Sequence, residues 1–127
     1  MRVAINAAII HDGRILLVRK KQIWILPGGK PEPNESDFDS LRREVREELS
    51  GTELENFRFY REFEGITPHK QDLLKARVYF ADISGQLGRP SGEIDDSDWI
   101  AHLGEQSLSN ITSKIVDSLA RDGYLRR

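Results

Sequence analysis

Glu44, Glu47 and Glu48 are the residues whose type and spacing point most plainly to chemistry. On a helix turning about 100° per residue they fall within roughly 100° of one another, beside an apolar sector made by Phe38, Leu41, Val45 and Leu49. One side of such a helix packs, and the neighbouring side is a carboxylate cluster. Like charges at i, i+3 and i, i+4 repel by roughly a few tenths of a kcal/mol per pair, so the cluster requires a compensating cation. Hard divalent ions that take oxygen ligands, magnesium or manganese, suit it chemically. Arg43 and Arg46 offer another route, because a guanidinium neutralises carboxylates without a metal, and a solvated, salt-bridged helix face is then the plainer reading. The preceding Pro27-Gly28-Gly29 shifts the balance: its backbone reaches conformations closed to other residues and leaves peptide groups accessible to an ion or a phosphate beside the helix. A diphosphate bridged by divalent ions is the ligand class that such a site suits.

Those side chains need elements to position them. Ser36 is placed to cap a helix N-terminus, with Asp37 and Asp39 in the first turn where negative charge suits the dipole, and this predicts a helix over about 36–49. Residues 2–20 read as two antiparallel strands joined at Asp12-Gly13, a strong hairpin signal. Trp24-Ile25-Leu26 reads as a short third strand stopped by Pro27, and Pro31, Pro33 and Asn34 keep the following stretch a structured loop. Phe57, Phe59 and Phe63 mark a further strand and residues 73–81 another, with a Pro68-bearing loop between them. After a Gly/Pro/Ser loop over 84–92, residues 94–101 read as a short strand around Trp99. Ile111, Ile115, Val116, Leu119 and Ala120 share one face of a second helix over about 109–122, with Gly123 past its last turn.

A chain of 127 residues is the size of one domain, expected over 1–127, which argues against a two-lobed enzyme. With 38% hydrophobic and 31% charged residues, few apolar positions are free to line a large buried cavity, so an open, polar site is expected. Lysine and arginine total 19 against 21 acids, a balance that gives no steering onto duplex nucleic acid or an anionic membrane. The absence of cysteine excludes disulfides, thiolate zinc sites and a cysteine nucleophile, and suits a reducing, cytoplasmic setting. No apolar run is long enough to span a bilayer, and His11, His69 and His102 are too isolated to form a histidine metal site.

Gly29, five residues, Glu35, seven residues, then Arg43-Glu44-Val45-Arg46-Glu47-Glu48 resembles the signature of the Nudix hydrolases. The surrounding order is similar too: an opening hairpin, Trp24 ahead of Pro27-Gly28-Gly29, the acidic run from Glu93 through Asp96 to Trp99, and a terminal helix. One departure stands out, since the pattern's glycine two residues past the glutamate pair is Ser50 here, with Gly51 one position later.

The resemblance implies an α+β fold, an α/β/α sandwich whose mixed, curved sheet is flanked by the catalytic helix and the C-terminal helix. It implies divalent-metal-dependent hydrolysis of a nucleoside diphosphate linked to another moiety, with Mg2+ or Mn2+ as cofactor, a small-molecule nucleotide as partner, and a monomer or homodimer as the working form. Carried onto this sequence, it makes Glu47 and Glu48 metal ligands, Glu44 a ligand or the base, and the Gly28 carbonyl a further ligand. Gly29 and Glu35 take structural roles, and Arg43 joins the catalytic set by pairing with a motif carboxylate and fixing the loop on the helix. Glu93 and Asp96 are candidates for an extra acidic ligand, against the reading of a solvated turn. Trp99 is a candidate for base stacking, and Tyr60 and His69 for substrate contacts, although strand packing is the plainer role for Trp99 and Tyr60. The compact chain favours a MutT-like enzyme acting on (d)NTPs or modified nucleotides. Pro68 keeps ADP-ribose or a nucleotide sugar open, and the alternatives are a catalytically silent nucleotide- or protein-binding module and a purely structural domain.

Overall fold

Apolar residues occupy both sides of the first strand: Val3, Ile5, Ala7 and Ile9 alternate with Ala4, Ala8 and Ile10, and each set joins a different apolar cluster. A strand with two apolar faces needs a cover on each. The computed structural model describes residues 1–67, 70–101, 104 and 106–126, and shows both covers. Its elements run β1 (Arg2–Ala8), β2 (Ile10–His11), β3 (Arg14–Lys20), β4 (Ile23–Ile25), β5 (Gly28–Gly29), α1 (Asp37–Glu48), β6 (Thr52–Ile66), β7 (Leu73–Gly85), β8 (Asp96–Ile100) and α2 (Asn110–Arg121). Leu41, Val45 and Leu49 at α1 close one cluster together with Leu16 and Val18, and Ile111, Ile115, Val116 and Leu119 of α2 close the other with Ile15 and Leu17. The strands are thus sandwiched between two helices, the expected α/β/α arrangement.

The strands form two four-stranded sheets, β5-β1-β7-β6 and β2-β3-β4 with β8 on the other side of β3. β1 runs parallel to β7, whereas β5 and β1, β6 and β7, and all pairs made by β3 are antiparallel. The opening hairpin is shorter than the sequence pattern predicts. Across Asp12-Gly13 only Ile10 pairs with Ile15 and His11 with Arg14, because the chain changes sheets at Ile9 and β1 sits between β5 and β7. Gly28-Gly29, expected as loop, instead enters the first sheet as β5, pairing Gly28 with Asn6 and Gly29 with Ile5. A Cβ on Gly28 would lie 2.1 Å from the Ile5 carbonyl oxygen, so only glycine permits this approach.

Both predicted helices form. Ser36 Oγ accepts from the Asp39 N–H at 3.1 Å, and Asp37 receives two Arg77 hydrogen bonds of 2.9 Å and one from the Tyr79 hydroxyl, tying the start of α1 to β7. Burial by itself would raise the Asp37 carboxyl, but the donors outweigh it and the group titrates below its ordinary range. β3 and β4 are joined by Lys21 and Gln22, whose φ values of 49° and 67° are both left-handed, as a tight two-residue hairpin turn demands. Asn-Gly serves such turns at low cost, while ordinary side chains there are strained by roughly 1–2 kcal/mol each.

At its other end α1 stops with the Leu49 N–H donating to the Val45 carbonyl at 2.7 Å, and Gly51 follows at φ +87°. The displaced glycine of the motif is therefore the left-handed residue that the helix exit uses, one position late. A Cβ on Gly51 would lie 2.9 Å from the Gln86 carbonyl oxygen. Gly51→Ala should lower stability by about 1–3 kcal/mol, read as a shifted urea midpoint with unchanged slope. An unshifted midpoint would show that the turn relaxes without cost.

Candidate functional site

Where β5 meets α1, backbone and carboxylates come into direct contact. The Gly28 N–H donates to Glu48 Oε1 at 3.0 Å, and a Cβ on Gly29 would lie 2.9 Å from the Glu44 carboxyl carbon. Glycine at both positions lets the strand lie against the helix's acidic side. Glu44, Glu47 and Glu48 line one cleft of about 410 Å³ with Gly28, Gly29 and Glu93. Asn6 holds the entry to β5 by donating to the Leu26 and Pro27 carbonyls at 3.3 and 3.4 Å.

Arg43 organises the acidic groups. Its Nε and Nη2 donate to the two oxygens of Glu35 at 2.8 and 2.9 Å, Nη1 to Glu44 at 3.0 Å, and Nη2 also to the Lys30 carbonyl at 3.2 Å. Glu35 Oε1 further accepts from the Glu32 N–H at 2.9 Å, so the loop between β5 and α1 is closed on itself and on the helix. The Arg43 hydrogen bonds, helped by the Glu32 N–H, hold the Glu35 carboxyl down at about 2. The structural roles expected of Glu35 and Arg43 agree with this geometry.

The carboxylates facing the cleft are shifted the other way. Burial pushes Glu48 up to about 8, against the pull of the Gly28 N–H, and neighbouring Glu44 and Glu47 add to the rise. Burial also raises Glu44, with Arg43 opposing it, while Glu47 is the exposed member. A carboxyl raised by burial and by two neighbouring carboxylates is relieved by a cation, and the Glu44, Glu47 and Glu48 side chains are hard oxygen donors, so the set fits a divalent ion such as Mg2+ or Mn2+. Among the described residues no three His, Asp or Glu side chains are grouped as ligands of one ion: Glu44 is turned to Arg43 and Glu48 to the Gly28 N–H.

The late acidic run divides. Residues 88–91 clasp the end of α1, with the Gly88 N–H on the Ser50 carbonyl at 3.3 Å, the Ser91 N–H on the Glu48 carbonyl at 3.4 Å, and the Ser91 hydroxyl donating to the Glu47 carbonyl. That clasp delivers Glu93 to the cleft rim, where it pairs with Lys20. Asp96 does not reach the cleft lining. It starts β8, accepts from the Ser97 N–H at 2.8 Å and faces Arg19 at 3.8 Å, while Asp95 takes the Arg19 Nε at 2.6 Å.

Two aromatic candidates also lie elsewhere. Trp99 sits opposite Leu16 in the β3–β8 pair and packs on the α1-side cluster, edge-on to His11. The Tyr60 hydroxyl is 2.6 Å from Ser118 Oγ and 2.7 Å from Asp122, which fastens β6 to α2. His69 falls outside the described residues, as does Pro68. Asn6 and Lys20 were not among the expected site residues; the signal available for Asn6 was a lone amide inside an apolar run. The cleft is less polar than the composition suggests, because Ile25, Leu26, Leu74, Ile111 and Ile115 form an apolar wall of it.

Comparison with known proteins gives a consistent family. A model described as the NUDIX domain matches residues 1–105. The crystal structure of a MutT NUDIX hydrolase from Burkholderia pseudomallei is 31% identical, with a TM-score of 0.77, over 91% of this chain and 95% of that one. A CTP pyrophosphohydrolase of Escherichia coli K12 is 44% identical over 54 residues, 37% of this chain and 40% of that protein. An 8-oxo-dGTP diphosphatase of Buchnera aphidicola subsp. Acyrthosiphon pisum is 37% identical over 71 residues, 56% of this chain and 53% of that protein. The matches thus span about half or less of these two relatives.

The raised Glu48 carboxyl has a thermodynamic consequence with a definite sign. Between its ordinary pKa near 4.5 and its folded value of about 8 the native state binds the extra proton, so this group's stabilising contribution is lost as pH rises through that window. Glu35 acts oppositely, contributing above its ordinary value and losing that contribution as pH falls towards about 2. In metal-free buffer the melting temperature should fall between about pH 6 and 9 in the wild type and fall less in Glu48→Gln. Parallel profiles for the two proteins would contradict the assignment.

Proposed function

The chain belongs to the Nudix hydrolase family, and from that premise we propose that it is a divalent-metal-dependent pyrophosphohydrolase cleaving a nucleoside diphosphate linked to another moiety. The observation that carries this reading is the cleft in which Gly28 and Gly29 lie against Glu44 and Glu48 beside an apolar wall. A diphosphate bridged by divalent ions suits the first feature and a nucleoside the second.

Glu48, Glu47 and Glu44, with the Gly28 carbonyl, would hold the Mg2+ or Mn2+. Once bound, the ion neutralises the diphosphate and the charge developing on its oxygens during displacement. Glu44 is raised by burial and is therefore more basic than an ordinary carboxylate, which suits it to take a proton from the attacking water. Arg43 keeps Glu44 oriented through a 3.0 Å hydrogen bond and so acts as a positioning group. Glu93 supplies a further carboxylate at the rim, and its ion pair with Lys20 holds it there. Ile25, Leu26 and Ile111 give the nucleoside an apolar surface.

The favoured substrates are (d)NTPs or modified nucleotides, in keeping with two relatives named for CTP and 8-oxo-dGTP. We place the enzyme in the cytoplasm, as a single domain working as monomer or homodimer. The lack of cysteine suits that setting, and no helix among the described residues is long and apolar enough to cross a membrane.

Phosphate and pyrophosphate release from nucleoside triphosphates, oxidised purine nucleotides, ADP-ribose and nucleotide sugars, with magnesium or EDTA, tests this directly. Glu48→Gln should lower kcat/KM by about 100-fold or more, with the melting temperature at neutral pH in metal-free buffer at or above that of the wild type. Near wild-type turnover in that variant would remove Glu48 from the metal site. The late carboxylates separate in the same assay: Glu93→Gln should weaken magnesium activation, whereas Asp96→Asn should leave it unchanged. Equal effects would mean that the acidic run acts as a unit.

A further inference from the structure

Lys20, Lys21, Lys30 and Lys70 come from three separate stretches of sequence, and the fold gathers them with Arg2 around one cleft of about 440 Å³. This cleft adjoins the carboxylate site, sharing Ala4, Lys20, Gly29, Leu74 and Glu93 as common walls. The acidic and the basic cleft are therefore two ends of one trough, with the Lys20–Glu93 pair at the junction. Arg2 is partnered by Asp72 at 3.1 Å. Among the described residues, Lys21, Lys30 and Lys70 have no ion-pair partner, and Glu93, the carboxylate that lines the same cleft, pairs with Lys20, so three further lysines line it in excess of that pair. Cations gathered in this way repel one another unless an anion joins them.

Backbone geometry supplies an independent observation. Lys21 occupies a left-handed turn position, φ 49°, where asparagine or glycine sits with less strain. Strain of this kind persists where the surrounding structure holds the chain to it, here the β3–β4 pairing, which fixes where the Lys21 stem leaves the backbone. Near Lys70, the Thr67 N–H donates to the Asp72 carbonyl at 2.8 Å, and the Asp72 N–H to Thr67 Oγ1 at 3.0 Å. Ammonium groups on flexible stems suit a mobile, multiply charged chain better than the bidentate fork of arginine.

We propose that Lys21, Lys30 and Lys70 form a subsite for the phosphate beyond the diphosphate held at Glu44 and Glu48. The enzyme therefore prefers nucleoside triphosphates to nucleoside diphosphates joined to an uncharged sugar. The position of the diphosphate rests on the function proposed above; the anion-binding cleft stands on its own geometry.

Calorimetric titration of inorganic tripolyphosphate and of pyrophosphate into metal-free protein, in EDTA at low salt, separates the two. The proteins are wild type and a Lys21→Gly, Lys70→Gln double variant, glycine keeping the left-handed turn. Wild type should bind tripolyphosphate more tightly than pyrophosphate, with affinity falling as salt screens the lysines, and the double variant should lose about tenfold. In magnesium, the ratio of kcat/KM for a nucleoside triphosphate to that for a nucleotide sugar should fall by about tenfold in the variant. Tripolyphosphate binding that is absent from wild type, or equal in the two proteins, overturns the subsite, as does an unchanged substrate ratio. If nothing is hydrolysed yet tripolyphosphate binding is lost in the variant, the hydrolase reading fails and the anion site is upheld.

Discussion

One guanidinium holds the site together. Arg43 spans Glu35, Glu44 and the Lys30 carbonyl, so it reaches both sides of the join between the β5 loop and α1. A planar group with donors spread over three nitrogens reaches both Glu35 oxygens, Glu44 and the Lys30 carbonyl in a fixed geometry, which the compact ammonium of a lysine does not span. Without that bridge, the loop over 30–35 would lose its anchor, and Glu44 would keep the cost of burial with nothing opposing it but its own protonation. The position of Gly28 and Gly29 against the helix depends on the same bridge, because the loop leads directly out of β5.

The remaining architecture serves that contact. β1 is apolar on both faces and is held between β5 and β7, so it forms the floor against which the two glycines lie. α1 is fixed at its start by Asp37, Arg77 and Tyr79 and at its end by the clasp of residues 88–91. The carboxylates between those ends therefore sit on a helix restrained at both termini, which suits a site that must hold its geometry. Glu48 works against stability above its ordinary pKa, and the molecule carries that cost where a cation would remove it.

Periodicity made the helices legible. Leu41, Val45 and Leu49 mark α1, and Ile111, Ile115 and Leu119 mark α2, because one amphipathic face leaves a pattern that neighbouring segments do not disturb. The motif also placed Glu35, Arg43, Glu44 and Glu48 beside one another, since short spacing on a single helix and its entry loop fixes distances locally. Sheet membership was less legible: nothing local shows that the chain leaves one sheet at Ile9 and enters another, or that Gly28 and Gly29 pair with β1. The late acids show the same limit. Glu93 and Asp96 are three residues apart in an undifferentiated acidic run, and only the clasp on α1 and the β3–β8 register send them to different places. Tyr60 and Trp99 took the packing roles that aromatic residues on strands usually take.

In the function proposed for this chain, the α1 carboxylates, with β5 against them, hold a divalent ion. The most direct measurement is the anomalous scattering of crystals grown or soaked with Mn2+, which locates the ion without reference to activity. A peak is expected within ligand distance, about 2.0–2.6 Å, of at least two of Glu44, Glu47 and Glu48, with Glu48 turned from the Gly28 N–H towards it. Manganese found elsewhere, with Glu44 still on Arg43 and Glu48 still on Gly28, would contradict that function.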